Sequence, residues 1–141
     1  MTKCARVIVA SPDVVEGVAV VTDEALSFWG GVDPATGCVI DEHHPLRGEC
    51  LAGRVLLLPR GRGSCSASGV LLECIHQGTA PAAIITRSVD PVLGLGAILA
   101  DEVYSQRMPL LVITPEEWQT IETGDSVTIL PSGEVTRNPG G

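Results

Sequence analysis

Residues Arg54 to Gly78 read RVLLLPRGRGSCSASGVLLECIHQG, and this stretch decides the fold. Val55 to Leu58 is an unbroken apolar run, as a strand buried on both faces requires. Pro59 ends the run, Arg60-Gly61-Arg62-Gly63 loops, and Ser64-Cys65-Ser66 turns into a helix. Along that helix Val70, Leu71, Cys74 and Ile75 share one face, and Gly78 closes it with Pro81 just beyond. A buried strand that hands a glycine-rich loop to a helix N-terminus builds an anion site. Unpaired N–H groups and the positive end of the helix dipole converge there. The loop is therefore the candidate substrate-contacting part, and the rest of the chain is the frame that holds it.

Downstream, Ala82 to Thr86 reads as a short buried strand, followed by a helix from about Pro91 to Tyr104. That helix is apolar nearly all round, which predicts that it is enclosed. Leu110 to Ile113 is another strand, and Thr114-Pro115-Glu116-Glu117 reads as an N-cap, a proline at the first helical position and a capping-box glutamate. Asp125 to Leu130 alternates as a strand, and Glu134 to Arg137 pairs back after the Ser132-Gly133 turn. Upstream, Arg6 to Ala10 and Val18 to Thr22 read as strands joined by a turn-rich link from Pro12 to Gly17. Phe28 to Gly37 is a tight, ordered loop, and Asp41 to Gly53 an irregular connection that packs over something. Alternating strands and helices in the second half predict a parallel sheet with crossover helices. The strands of the first half then imply a second sheet or a barrel-like layer. The expected fold is α/β, a β/β/α arrangement in one domain over residues 1–137 with a loose tail at 138–141.

With 141 residues, 45% hydrophobic and 18% charged, the chain has the composition of a globular domain. Phe28, Trp29, Tyr104 and Trp118 are its only aromatics, so the core must be aliphatic. A net charge of −8 leaves no basic patch to displace counterions from phosphates, which excludes a nucleic-acid partner. The five cysteines form no C-x-x-C pair and are expected to be reduced, partly buried thiols of a cytoplasmic protein. With only three histidines no local metal spacing can be assembled, so any metal should come from elsewhere. Val7 to Ala10 is too short for a secretory signal core, and nothing approaches a membrane span.

Three readings compete for the loop. A P-loop fails because the lysine and the Ser/Thr after it are absent, Lys3 being the only lysine. A dinucleotide fingerprint is weak, because Ser66 stands where the third glycine or alanine belongs. The third reading starts from Ser64, a hydroxyl at the mouth of the helix. Backbone N–H groups, with Arg60 or Arg62 nearby, would stabilise its alkoxide. No His–Asp partner stands out, so a hydrolase triad is not supported. Arg62 fits a substrate carboxylate and a loop carbonyl about equally. Arg60 suits a surface position or a partner contact. Cys65 suits a packed small residue, and Ser66 and Ser68 suit helix caps. His43 and His44 could meet a metal site on a partner, but a histidine before proline in a loop is more often structural or solvent-facing, and Asp33 closes an Asx turn before Pro34. Thr86-Arg87-Ser88 lie where ligands gather in parallel sheets.

Gly30-Gly31-Val32-Asp33-Pro34, His44-Pro45-Leu46-x-Gly48 and Leu51-Ala52-Gly53-Arg54-Val55, leading into Gly61-Arg62-Gly63-Ser64-Cys65-Ser66, resemble the small swivel subunit of the aconitase X family. The likeness runs from about Gly30 to Ile113. It implies a swivelling β/β/α domain and a separate large subunit bearing an iron or iron–sulfur centre, with the active site at their interface. By the same resemblance Ser64 is the catalytic base, and Gly61, Arg62, Gly63, Cys65 and Ser66 contact substrate. In aconitases the motif continues G-S-S-R-E, whose arginine grips a carboxylate; Ser66 stands in that place here. The resemblance offers cis-3-hydroxy-L-proline or mevalonate 5-phosphate as the compound dehydrated, and the G-R-G-S-C-S run looks more like the hydroxyproline branch. A non-catalytic anion-binding module is the remaining alternative.

Overall fold

The computed structural model describes residues 2–4, 6–61 and 65–140, with Thr2–Cys4 and Cys65 described through their backbone alone. The strands are β1 (Thr2–Cys4), β2 (Arg6–Val9), β3 (Val15–Val21), β4 (Val55–Leu57), β5 (Ala83–Thr86), β6 (Leu110–Val112), β7 (Ser126–Ile129) and β8 (Glu134–Asn138). The helices are α1 (Cys65–Gln77), α2 (Pro91–Tyr104) and α3 (Pro115–Trp118). The strands form a continuous sheet in the order β1-β8-β7-β3-β4-β5-β6-β2.

β3 joins two layers of opposite character. Its first half, Val15 to Val18, pairs antiparallel with β7. Its second half, Ala19 to Val21, pairs parallel with β4. β4, β5 and β6 continue in parallel, and β2 closes that edge antiparallel to β6. The expected parallel sheet with a second sheet beside it is therefore present, the two sharing a strand. Two expectations change. Val15 to Gly17 belongs to β3 rather than to a link, because Gly17 lets the chain pass close to its neighbour: a Cβ there would lie 3.0 Å from the Gly53 carbonyl oxygen. Asn138 ends β8 rather than opening a tail, and the Gly140 N–H donates to Asp125.

Strand residues alternate between two cores, as the pleat requires. Val20, Leu56, Leu58, Ile84 and Leu110 face α1 and α2, meeting Leu71, Cys74, Leu93 and Ala97. Ala19, Val55, Leu57, Ile85 and Leu111 belong to the opposite core, with Trp118, Val127, Ile129 and Val135. α1 and α2 pack closely because Gly96 has no side chain; a Cβ there would lie 2.9 Å from the Ser68 carbonyl oxygen. Ser68 is buried, and its hydroxyl donates to the Val92 carbonyl at 2.7 Å. It ties the helices together and is not a cap, since α1 has already begun at Cys65. The predicted ends hold elsewhere: Gly78 takes φ +78° after α1, and the Thr114 hydroxyl oxygen accepts from the Glu117 N–H at the start of α3.

Residues 28–53 form the irregular strap expected there, its buried Phe28, Val32, Val39, Leu46 and Leu51 plugging the helix-side core. Gly37, at φ +74°, is required because the Thr79 carbonyl occupies the place of a Cβ. Next to Val39, the strap brings Cys38 against Cys50 in an antiparallel bridge, and the two are disulfide-bonded. The expectation that all the cysteines are reduced is thereby corrected. Cys74 is free and buried. α2 is also less enclosed than its sequence predicts, with Leu95 and Ile98 both open to solvent. Among the described residues no helix is long and apolar enough to cross a membrane.

Candidate functional site

The parallel strands β3, β4, β5 and β6 all deliver their carboxyl ends to the same edge, where open α/β sheets bind ligands. β4 continues through buried Leu58 into Pro59, exposed Arg60 and Gly61. Three contacts hold this segment. The Leu58 N–H donates to the Ile85 carbonyl at 3.2 Å, and the Arg87 N–H donates to the Pro59 carbonyl at 3.3 Å. Gly61 bridges in parallel to Leu26.

The decisive contact is a carboxylate. Asp90 Oδ2 accepts from the Gly61 N–H at 2.7 Å, while Oδ1 accepts from the Val92 and Leu93 N–H groups at 3.0 Å each. One side chain thus caps α2 and anchors the first glycine of the loop. The approach is tight: a Cβ on Gly61 would lie 3.0 Å from Leu93 Cγ and 3.1 Å from Asp90 Oδ2, so a side chain there would press on both. Asp90-Pro91 before an apolar helix carries the same N-cap signal as Thr114-Pro115, so the cap was legible. Its second oxygen, reaching 29 residues back to Gly61, was not.

Of the sequence-derived site residues, Gly61 sits at this edge as expected. Arg62, Gly63 and Ser64 lie outside the described residues. Cys65 opens α1, and Ser66 is exposed in the first turn of that helix. The residues left as structural are so placed. His44 is buried, with Nδ1 accepting from the Leu46 N–H at 3.1 Å and Nε2 lying 3.4 Å from the Glu24 carbonyl. Asp33 Oδ1 accepts from the Ala35 N–H at 2.9 Å, closing the Asx turn. Thr86 and Arg87, expected where ligands gather, are engaged within the chain: the Thr86 hydroxyl donates to the Ser88 carbonyl at 2.7 Å, and Arg87 stacks 4.5 Å over the Trp118 ring. Cys74 is fully buried, and burial pushes its thiol above its ordinary pKa, the setting of a packed structural cysteine. Among the described residues no group of three or more His, Cys, Asp or Glu is placed to hold a metal ion. At this edge Asp90 therefore pins Gly61, and α1 begins four residues later at Cys65.

Comparison with known proteins follows the same segments. The family model described as the aconitase X swivel domain matches residues 4–137. A cis-3-hydroxy-L-proline dehydratase of Pseudomonas aeruginosa is 58% identical over 85 residues, which is 60% of this chain and 15% of that enzyme. A phosphomevalonate dehydratase small subunit of Methanopyrus kandleri is 46% identical over 121 residues, 86% of each chain. The crystal structure of Thermococcus kodakaraensis aconitase X in its holo-form superposes with a TM-score of 0.86 at 33% identity, covering 99% of both chains. The matched part of this chain thus covers less than a sixth of the Pseudomonas enzyme, against 86% of the Methanopyrus subunit and 99% of the Thermococcus chain.

Proposed function

The chain belongs to the aconitase X swivel-domain family, and from that premise we propose that it is the small subunit of a heteromeric hydro-lyase acting on cis-3-hydroxy-L-proline. The observation that carries this reading is the 58% identity to the Pseudomonas hydroxyproline dehydratase. In the reaction Ser64 takes the proton α to the substrate carboxylate. The electron pair left on that carbon forms the carbon–carbon double bond as the bond from C3 to its hydroxyl breaks. The departing hydroxide takes up a proton and leaves as water, and the enamine tautomerises to pyrroline-2-carboxylate.

An α-proton of this kind is weakly acidic, so its base must be shielded from water and its anion stabilised. The N–H groups at the start of α1 supply the stabilising side, while Asp90, which takes the Gly61 N–H, fixes the chain that leads to them. Gly61, Arg62, Gly63, Cys65 and Ser66 line the substrate in this reading. The large subunit closes the site, and an iron or iron–sulfur centre resides on that partner. The assembly is cytoplasmic, which makes the Cys38–Cys50 bond the point at which a reducing compartment acts on the chain.

A second substrate, mevalonate 5-phosphate, is favoured by the Methanopyrus small subunit, whose match extends over 86% of each chain. Both compounds, assayed side by side on the complex with its large subunit, decide between them. Dehydration of cis-3-hydroxy-L-proline with no turnover of mevalonate 5-phosphate is the expected result; the reverse selects the second substrate.

A further inference from the structure

The proposed reaction makes no use of Arg87, although this residue follows β5 directly at the edge where the parallel strands end. Beside it the chain forms an open cavity of about 370 Å³, lined by Arg6, Arg87, Val112, Ile113, Thr114 and Pro115. Three strands bring these residues together. Thr86, the last residue of β5, stands in register with Val112, the last of β6, and the Ile113 N–H donates to the Thr86 carbonyl at 3.1 Å. On the other side of β6, Arg6 opens β2 opposite Val112. Two arginines thus reach one cavity whose remaining walls, Thr114 apart, are apolar.

Neither guanidinium is spent on a carboxylate of the chain. Arg54, Arg107 and Arg137 hold Glu49, Asp101 and Asp125 in turn, whereas Arg6 and Arg87 hold no carboxylate among the described residues. Arg87 lies 4.5 Å over the ring of buried Trp118, a contact that uses the flat face of the guanidinium and leaves its N–H edge open. Glu117, which takes the Thr114 hydroxyl at 3.2 Å, does not line the cavity. We propose that Arg6 and Arg87 form a binding site for an oxyanion, carboxylate or phosphate, carried on a short apolar body that packs on Val112, Ile113 and Pro115. The planar N–H fork of a guanidinium matches the paired oxygens of either group. A chain of net charge −8 repels an anion at long range, so its recognition must be local, as two unspent cations in one cavity make it. The inference stands on this cavity and is independent of the dehydration reading.

The test uses the full chain carrying Trp29→Phe, which leaves Trp118, beneath Arg87, as its single tryptophan. Trp118 emission is followed during titration with isobutyrate and with inorganic phosphate, against sodium chloride at matched ionic strength. At least one of the two oxyanions should give a saturable change that sodium chloride does not. Tighter binding of isobutyrate assigns the site to a carboxylate and tighter binding of phosphate to a phosphoryl group, and either result upholds the proposal. Arg6→Gln and Arg87→Gln should each weaken that binding at least about fivefold, while the control Arg47→Gln, on the strap, stays within about twofold. Arg6 is exposed, so its variant reports even where Arg87→Gln fails to fold. A response to both oxyanions no different from that to sodium chloride overturns the proposal, and so does wild-type affinity in folded Arg6→Gln or Arg87→Gln.

Discussion

Asp90 shows how much of the site depends on one carboxylate. Its two oxygens serve different elements, Oδ1 capping α2 and Oδ2 holding Gly61. Asp90→Asn keeps an oxygen for the cap, because asparagine is as good an N-cap as aspartate. Its amide nitrogen cannot accept from Gly61, and the orphaned N–H should cost about 1–2 kcal/mol of stability in urea unfolding. Turnover of the complex should fall further than that loss explains, with kcat reduced and association unchanged, because Asp90 is a positioning residue for the loop. Asp125 is the second carboxylate with a predictable effect. The Glu122 N–H bond, first, and then the Gly140 N–H and Arg137 contacts hold its pKa below the ordinary value against the opposing effect of burial. A depressed folded-state pKa contributes stability above the unfolded-state value, and that contribution is lost as pH falls through the folded value. The urea midpoint should therefore drop on acidification from neutral pH, and Asp125→Asn should drop less.

At the scale of elements, the sequence was most readable where period and punctuation agree. α2 runs from Pro91 to Tyr104 as its apolar run and Asp90-Pro91 start imply, and α3 begins on the Thr114 cap. It was least readable where a residue answers to something far along the chain. Gly17 reads as a turn until Gly53 is seen beside it, and Ser68 reads as a cap until Val92 is seen across the helix pair. Cys38 and Cys50 share no motif and meet only because the strap folds back on itself. Their bond is the third prediction. By loop entropy, closing a loop of this size contributes about 3 kcal/mol. Cys38→Ser with Cys50→Ser, or reductant added to the wild type, should lower Tm by several degrees while leaving the far-UV circular dichroism spectrum unchanged.

On the scale of the whole molecule, β3 is the pivot between a parallel layer carrying the loop and an antiparallel layer behind it. The parallel layer was legible from alternating strands and helices. The shared strand was not, because nothing local tells β3 to change partners between Val18 and Ala19. Of the strand–loop–helix pattern, the strand end at Gly61 and the helix start at Cys65 stand where the sequence places them, and Arg62, Gly63 and Ser64 lie outside the described residues. What the architecture provides is an edge where four parallel strands end and Asp90 holds Gly61, and the proposed function places the Ser64 hydroxyl there. The direct test is Ser64→Ala in the assembled complex, with turnover and subunit affinity measured on the same preparation. The account predicts turnover reduced by at least about a hundredfold with affinity unchanged; turnover near the wild-type rate would contradict it.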